Sequence, residues 1–269
     1  MSWITARRRR PAAGYVVVLL ALVLVGAVYA ALAGHGASAA APPPGATKQQ
    51  IAAGRHLFEV TCASCHGINA QGTARGPSLI GVGAAAVDFQ ISSGRMPAKD
   101  IGAQIPQKKP TLTPAQTGAI AAYIASLAGG PPIPSGAQVD AAGANSGLGQ
   151  ELFNTNCAAC HNFAGAGGAL TYGKYGPALT KATPRQIYEA MVTGPESMPI
   201  FSDTTITPDQ KRAIIRYITQ TRSEPNPGGF SLGRVGPVTE GIVGWLAGLG
   251  LLIGAAMWIT AKHRRHSHD

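Results

Sequence analysis

Two five-residue motifs contain all four cysteines of the chain, Cys62-Ala63-Ser64-Cys65-His66 and Cys157-Ala158-Ala159-Cys160-His161. In Cys-x-x-Cys-His, the two thiols form thioethers with the vinyl groups of a haem, and the adjacent histidine binds the iron. The spacing suits this chemistry because one short helical turn places both sulfurs and the imidazole around one macrocycle. The motifs predict two covalently bound haem c groups, with His66 and His161 as proximal ligands.

Four cysteines have two other interpretations. A disulfide framework is the ordinary one for an exported chain, and repeated Cys-x-x-Cys spacing also occurs in four-cysteine zinc sites. Neither alternative requires a histidine directly after the second cysteine of both pairs. A haem-stained denaturing gel separates these interpretations, because thioether-bound haem survives denaturation.

Two methionines are the candidates for the sixth position of the irons, where a thioether raises the reduction potential. Met96 and Met198 are each followed by proline, 30 and 37 residues after the proximal histidine. Met191 competes in the second half, but it aligns with Ile91 and fits a helix core position instead. If both irons have six ligands, no open site remains for a substrate, and we expect no catalytic residue.

Gly76-Pro77 and Gly176-Pro177 follow the two motifs at equivalent places. A ligating imidazole needs a partner for its other ring N–H, and that bond sets the orientation of the ring. The proline carbonyl could accept it. The alternative is a turn that only redirects the chain.

The chain contains an internal repeat, because the same signatures follow in the same order in both halves. They are Gly-x3-Phe-x3-Cys, Gly-Pro-x-Leu, Met-Pro and Thr-Pro. We therefore expect two domains, at residues 47–128 (the first repeat) and 147–222 (the second repeat). Apolar residues at helical spacing, with capping signatures at Thr113 and Thr207, predict a mainly α fold. No alternating run is long enough to indicate a sheet.

Three segments have the composition of linkers or lack domain signatures. Residues 35–46 and 129–146 are rich in small residues and proline, and we interpret both as linkers, the second as the joint between the repeats. Residues 223–237 are interpreted in the same way.

Two uncharged segments predict transmembrane helices that flank the repeats. Residues 1–34 contain Arg7 to Arg10 and then an uncharged run long enough to cross a bilayer, so that the N-terminus stays in the cytoplasm. The competing interpretation is a cleaved signal peptide, since Ala37-Ser38-Ala39 resembles a cleavage site.

The second span is predicted at residues 238–261, of which Gly241–Ala261 are uncharged. Trp245 and Trp258 lie near its ends, and a basic cytoplasmic tail follows at residues 262–269. The alternative is a buried helix of a soluble protein. Two spans place the repeats on the extracytoplasmic side of the cell membrane, with both termini in the cytoplasm and lipid as a partner.

The net charge of +10 does not indicate a nucleic-acid partner. Much of it lies at the two ends of the chain, and residues 45–237 contain 15 Lys and Arg against 10 Asp and Glu. These basic residues are scattered among acidic ones and lack aromatic neighbours. Aromatic residues make up only 6% of the chain, which favours two small cores, each filled by a cofactor.

With these motifs and their order, each repeat resembles a class I cytochrome c domain. The resemblance implies that the first and last helices of a domain cross where Gly54 or Gly149 and Phe58 or Phe153 meet an aromatic residue, here Tyr123 or Tyr217. It also implies a hydrogen bond from the haem-ligating histidine to the carbonyl of Pro77 or Pro177.

The whole layout is similar to the dihaem cytochrome cc subunit of actinobacterial cytochrome bcc complexes. That resemblance implies an electron-transfer subunit of a menaquinol–cytochrome c reductase, without a catalytic site of its own. The implied partners are the cytochrome b and Rieske iron–sulfur subunits and a terminal cytochrome c oxidase within a supercomplex.

Other dihaem proteins provide the alternatives. A dihaem cytochrome c peroxidase needs an iron whose distal position can open. The dihaem subunit of a cbb-type oxidase and the cytochrome subunit of a periplasmic dehydrogenase usually lack a C-terminal membrane helix.

Overall fold

The computed structural model describes residues 11–32, 45–102, 104–225 and 238–266. Arg7 to Arg10, the possible cleavage site, most of the segments 35–46 and 223–237, and the end of the basic tail lie outside the described residues. The helices are α1 Pro11–Leu32, α2 Lys48–Thr61, α3 Ala63–His66, α4 Gly83–Ser92, α5 Pro114–Leu127, α6 Gly136–Val139, α7 Ser146–Asn156, α8 Ala158–His161, α9 Pro184–Thr193, α10 Pro208–Ser223 and α11 Val238–His266.

In the first repeat, α2 and α5 cross and enclose a small core. Thr113 caps α5 through the predicted capping box with Gln116. Along α5, Ile120, Tyr123 and Ile124 are buried, whereas Leu127, the last residue of the helix, is 38% exposed.

The second repeat has the same plan, with α7 crossing α10. Thr207 caps α10 through a box with Gln210, as predicted. The aromatic contact at each crossing is present, with ring centroids 5.5 Å apart for Phe58 and Tyr123 and 5.3 Å apart for Phe153 and Tyr217. The mainly α fold is therefore confirmed.

A short antiparallel pair of strands, β1 Gly168–Ala169 and β2 Tyr175–Gly176, was not predicted. Its counterpart in the first repeat is a single bridge between Thr73 and Gly76. Each strand has only two residues, which is too short to produce an alternating pattern. The second repeat thus lengthens this loop into a small hairpin.

Residues 129–146 lie against both repeats. Pro131 accepts a hydrogen bond from Ala85 N at 3.0 Å, and Ile133 packs on the first core. Further along, Gln138 Nε2 donates to Tyr188 Oη at 3.1 Å, and Val139 packs on the second core. Both ends of the segment are therefore attached to a repeat.

Among the described residues, only α11 is long and apolar enough to cross a membrane, and its candidate span is Val238–Ala261. In α1, the residues whose side chains the structure describes include an apolar stretch, Gly14–Val28, that has fewer than 18 residues. One such helix near the C-terminus agrees with part of the predicted layout, and the second span stays a prediction.

Candidate haem-binding sites

Each Cys-x-x-Cys-His motif forms one tight helical turn at the end of a longer helix. Cys62 N donates to Phe58 O at 2.8 Å, which ends α2, and His66 N donates back to Cys62 O at 3.0 Å. In the second repeat, Cys157 N donates to Phe153 O at 2.8 Å and His161 N to Cys157 O at 2.9 Å. The same turn in both repeats brings two thiols and an imidazole together.

The two histidines are held in one orientation by the Gly-Pro turns. His66 Nδ1 lies 2.8 Å from the carbonyl oxygen of Pro77, and His161 Nδ1 lies 2.8 Å from that of Pro177. A carbonyl oxygen can only accept, so Nδ1 carries the proton and the Nε2 lone pair is left for a metal. Burial lowers the pKa of His161 although the bond to Pro177 opposes it, which favours the neutral, metal-binding imidazole.

The Gly-Pro turns pack directly against the two Cys-x-x-Cys-His turns, which we call the attachment turns. A β-carbon at Gly176 would lie 2.1 Å from the carbonyl oxygen of Cys160, and one at Gly76 would lie 3.0 Å from that of Cys65. Any larger residue at Gly176 would displace the turn that orients His161. The glycines of this signature are therefore required by close backbone approach.

A largely apolar cavity in the second repeat is lined by Cys157, Cys160, His161 and Met198. Counted with its open mouth, it contains about 1150 Å³ of empty space. Pro177 and Leu179 of the Gly-Pro-x-Leu signature form part of its wall. The donor set and the apolar lining together fit a haem attached through two thioethers.

Met191 lines this cavity as well, but its side chain is 2% exposed and belongs to the core of the second repeat. Its counterpart Ile91 is also a buried core residue. Met198 is half-buried at the edge of that core. In the first repeat, Met96 and Cys62 both pack against the core around Phe58.

None of the four thiols forms a disulfide. Burial raises the pKa of Cys62, and burial together with the charge of Cys160 raises the pKa of Cys157 to about 11. Both groups are therefore protonated near neutral pH. Among the described residues, no three His, Cys, Asp or Glu side chains converge on a possible metal position, which argues against a shared zinc site.

Side chains of the first repeat also line the cavity of the second, and the sequence comparison of the two copies missed them. They include Phe89, Ser93, Arg95, Gln104 and Gln107. Arg95 directly precedes Met96-Pro97, the first copy of the repeated Met-Pro signature, so a signal was present. It pointed to Met96, however, and alignment of the two copies says nothing about contacts between them.

Two family models match the chain in tandem. The model described as "Cytochrome c" matches residues 51–128, and "Cytochrome C oxidase, cbb3-type, subunit III" matches residues 144–218. Both matches fall on the two repeats and include one Cys-x-x-Cys-His motif each. Cytochrome c domains bind haem c covalently.

Curated relatives match most of the chain. The cytochrome c subunit of the cytochrome bc1 complex from Corynebacterium efficiens is 48% identical over 227 residues, covering 79% of this chain and 77% of the relative. Its counterpart from Corynebacterium diphtheriae is 48% identical and covers 81% of this chain and 84% of the relative. The counterpart from Mycobacterium leprae is 47% identical and covers 79% of this chain and 75% of the relative. A cbb3-type oxidase subunit FixPc of Rhizobium leguminosarum is 32% identical but covers only 41% of the chain.

Proposed function

The chain belongs to the family of cytochrome c subunits of the cytochrome bc1 complex, and from this premise we propose that it transfers single electrons from a Rieske iron–sulfur subunit to a terminal cytochrome c oxidase. Electron transfer within a quinol–cytochrome c reductase is the role of this family. The match to the Corynebacterium diphtheriae relative covers 84% of that protein, so it supports this role for the whole chain and not for one repeat alone.

We propose that the chain carries two haems. Cys62 and Cys65 would attach the first haem, with His66 and Met96 as its axial ligands. Cys157 and Cys160 would attach the second, with His161 and Met198. Haem iron supplies the one-electron carrier when it is bound. The support is the occurrence, in both repeats, of the same attachment turn and the same bond from histidine to the proline carbonyl.

In this transfer, the role of the protein is to hold the side chains that would bind the iron in fixed orientations. The carbonyl of Pro77 keeps the imidazole proton of His66 on Nδ1, and the carbonyl of Pro177 does the same for His161. In both histidines, Nε2 is thereby left to bind the iron. The thioether sulfurs of Met96 and Met198 would close the sixth position and favour the reduced state. As ligands, these two methionines would keep water and substrates from the iron, and the peroxidase alternative would then lack its open site.

We further propose that α11 anchors the subunit, and that the repeats lie on the extracytoplasmic side beside the cytochrome b and Rieske subunits. The length and composition of Val238–Ala261 support the anchor. Whether the N-terminal apolar helix also spans the membrane or is cleaved is decided by N-terminal sequencing of the mature protein.

Affinity purification of the full chain from mild detergent tests the function. We expect two haems per chain on a haem-stained gel with a pyridine haemochrome assay, and co-purification of a b-type cytochrome and a Rieske protein. A variant that ends before Val238 is the control and should lose these partners but keep its haems. Recovery of a flavin or quinoprotein dehydrogenase instead would overturn the proposal.

A further inference from the structure

The two copies differ in length at three places that lie close together in the structure. The second repeat has the hairpin that contains Tyr175 and an insertion before Met198 that contains Glu196. The first repeat has 15 residues between Pro97 and Thr113, where the second has 7 between Pro199 and Thr207. The longer loop of the first repeat reaches across to the second.

Hydrogen bonds attach this loop to both insertions. Gln104 Nε2 donates to Tyr175 O at 2.7 Å, and Tyr175 N donates back to Gln104 Oε1 at 2.9 Å. Ile105 N donates to Glu196 Oε1 at 2.9 Å. These contacts close one side of the cavity of the second repeat with residues of the first.

Arg95 is the charged residue that this arrangement brings into the cavity. Arg95 is only 6% exposed, and it lines the cavity together with the cysteines and the histidine of the second motif. Its Nε lies 3.9 Å from Glu196 Oε1, too far for a hydrogen bond, and its guanidinium carbon lies 5.1 Å from the centroid of the Phe89 ring. Its Nη1 is buried and has no hydrogen-bond partner among the residues that the structure describes.

A buried guanidinium with an unused N–H group is costly unless an anion receives it. Each haem c brings two propionate carboxylates, and a planar guanidinium is the side chain that binds a carboxylate best. We propose that Arg95 of the first repeat binds a propionate of the haem held by the second repeat. This inference rests on the proposed haem site and assigns one haem a ligand contact from the other domain.

The consequence is an electrostatic link between the two sites. Arg95 directly precedes Met96, the proposed ligand of the first haem, so one short stretch of backbone serves both haems. A positive charge beside the second haem favours its reduced state, because reduction removes one positive charge from the iron.

Redox titration of the full-length holoprotein tests this, with wild type, Arg95→Gln and Arg95→Lys. We expect Arg95→Gln to change the electron-exchange equilibrium between the haems about tenfold toward the first haem, which is about 59 mV for one electron. Arg95→Lys should restore part of that change. The titration should show two one-electron transitions, one for each haem. Arg95→Gln should shift the transition that Met198→Ala shifts, and not the one that Met96→Ala shifts.

Two matched variants complete the design. Arg185→Gln removes another charge at the contact between the repeats, 3.9 Å from Asp88 and outside the cavity lining, and should leave both potentials unchanged. Glu196→Gln removes the negative charge beside Arg95 and should shift the second haem in the opposite direction to Arg95→Gln. It also keeps the test decisive if Arg95→Gln does not assemble.

The outcomes separate the inference from the function on which it rests. A haem count below two in the wild type contradicts the proposed site itself. Two haems with unchanged potentials in Arg95→Gln, or a shift confined to the first haem, overturn the propionate contact alone.

Discussion

Gly54 and Ala119 touch through their backbones where α2 crosses α5: a β-carbon at Gly54 would lie 1.9 Å from the carbonyl oxygen of Ala119. Gly149 and Ala213 repeat the relationship at 2.0 Å where α7 crosses α10. In both repeats the first helix leads directly into the attachment turn. The distance between the crossing helices therefore sets where the thiols lie relative to the core.

Gly54→Ala should destabilise the first repeat by about 1–3 kcal/mol, since the carbonyl of Ala119 is backbone and cannot rotate away. Thermal unfolding of the full-length protein measures this. Gly118→Ala on α5 is the control, because its β-carbon meets nothing nearer than 3.9 Å and alanine is favoured in helices by up to ~1 kcal/mol. Equal stability of the two variants would contradict the close contact.

Met198→Ala should lower the potential of one haem and leave that haem covalently attached, because the thioether to the iron is lost while Cys157 and Cys160 remain. Redox titration with a haem-stained gel measures both effects. Met191→Leu, which changes a buried methionine of the same cavity, is the control and should keep the potential. An unchanged titration for Met198→Ala would remove that residue as a ligand.

Cys157→Ala should impair haem attachment in the second repeat only. Its effect is local because the two attachment turns lie in separate repeats. The haem count per chain should fall from two toward one, with the first haem's potential and spectrum retained. Loss of both haems would show that the repeats do not load independently.

The stability of the protein should fall as the pH rises, because of Glu189. This residue of α9 is 0% exposed, and burial together with the neighbouring Asp88 raises its pKa from 4.5 to about 10, although Arg185 opposes the shift. Between these values the folded state holds a proton that the unfolded state has lost. The contribution of Glu189 is therefore complete below about pH 4.5 and is lost progressively up to about pH 10.

Glu189→Gln keeps a neutral side chain at every pH, so it should remove a slope of at most about 1.4 kcal/mol per pH unit. Unfolding measured at several pH values in this range is the test, with the exposed Glu151→Gln as control. Parallel pH curves for wild type and Glu189→Gln would contradict the assignment.

Lys211→Met should destabilise the second repeat by about 1–3 kcal/mol. Lys211 is 0% exposed, and its Nζ donates to Ile206 O at 2.9 Å and to Asp203 Oδ1 at 2.5 Å. Methionine fills the space but leaves the buried carbonyl of Ile206 without a donor. Asp203→Asn is the comparison, since Asp203 is 59% exposed and its loss should cost under ~1 kcal/mol. Equal losses would mean that the ion pair, and not the carbonyl, is what Lys211 stabilises.

Much of each repeat was predictable because its signals are local. The capping boxes of α5 and α10 follow from Thr-Pro-x-Gln, and the attachment turns follow from the cysteine spacing. The capping box of α9, between Thr183 and Gln186, has the same signature and was overlooked although the signal was there. The crossing contacts of Gly54 and Gly149 came from the family resemblance, since no spacing along the chain indicates which helices cross.

The contacts between the repeats had no such signal. Gln104 and Tyr175 are 71 positions apart, and a glutamine in a loop has no preferred distant partner. The charge of Arg95 was visible, but its position in the cavity of the other repeat depends on how the two domains pack. Residues 129–146 likewise have the composition of a linker, and only the packing of Ile133 and Val139 shows that the segment is attached at both ends.

The attachment of residues 129–146 to both repeats changes how the subunit's length can vary during evolution. A free tether tolerates insertions, because lengthening it alters only the local concentration of one domain near the other. Here Pro131 is bonded to the first repeat and Gln138 to the second, so an added residue between them would have to loop out or break a contact. Relatives in which the two domains keep this mutual placement should therefore conserve the number of residues in this stretch more strictly than its composition.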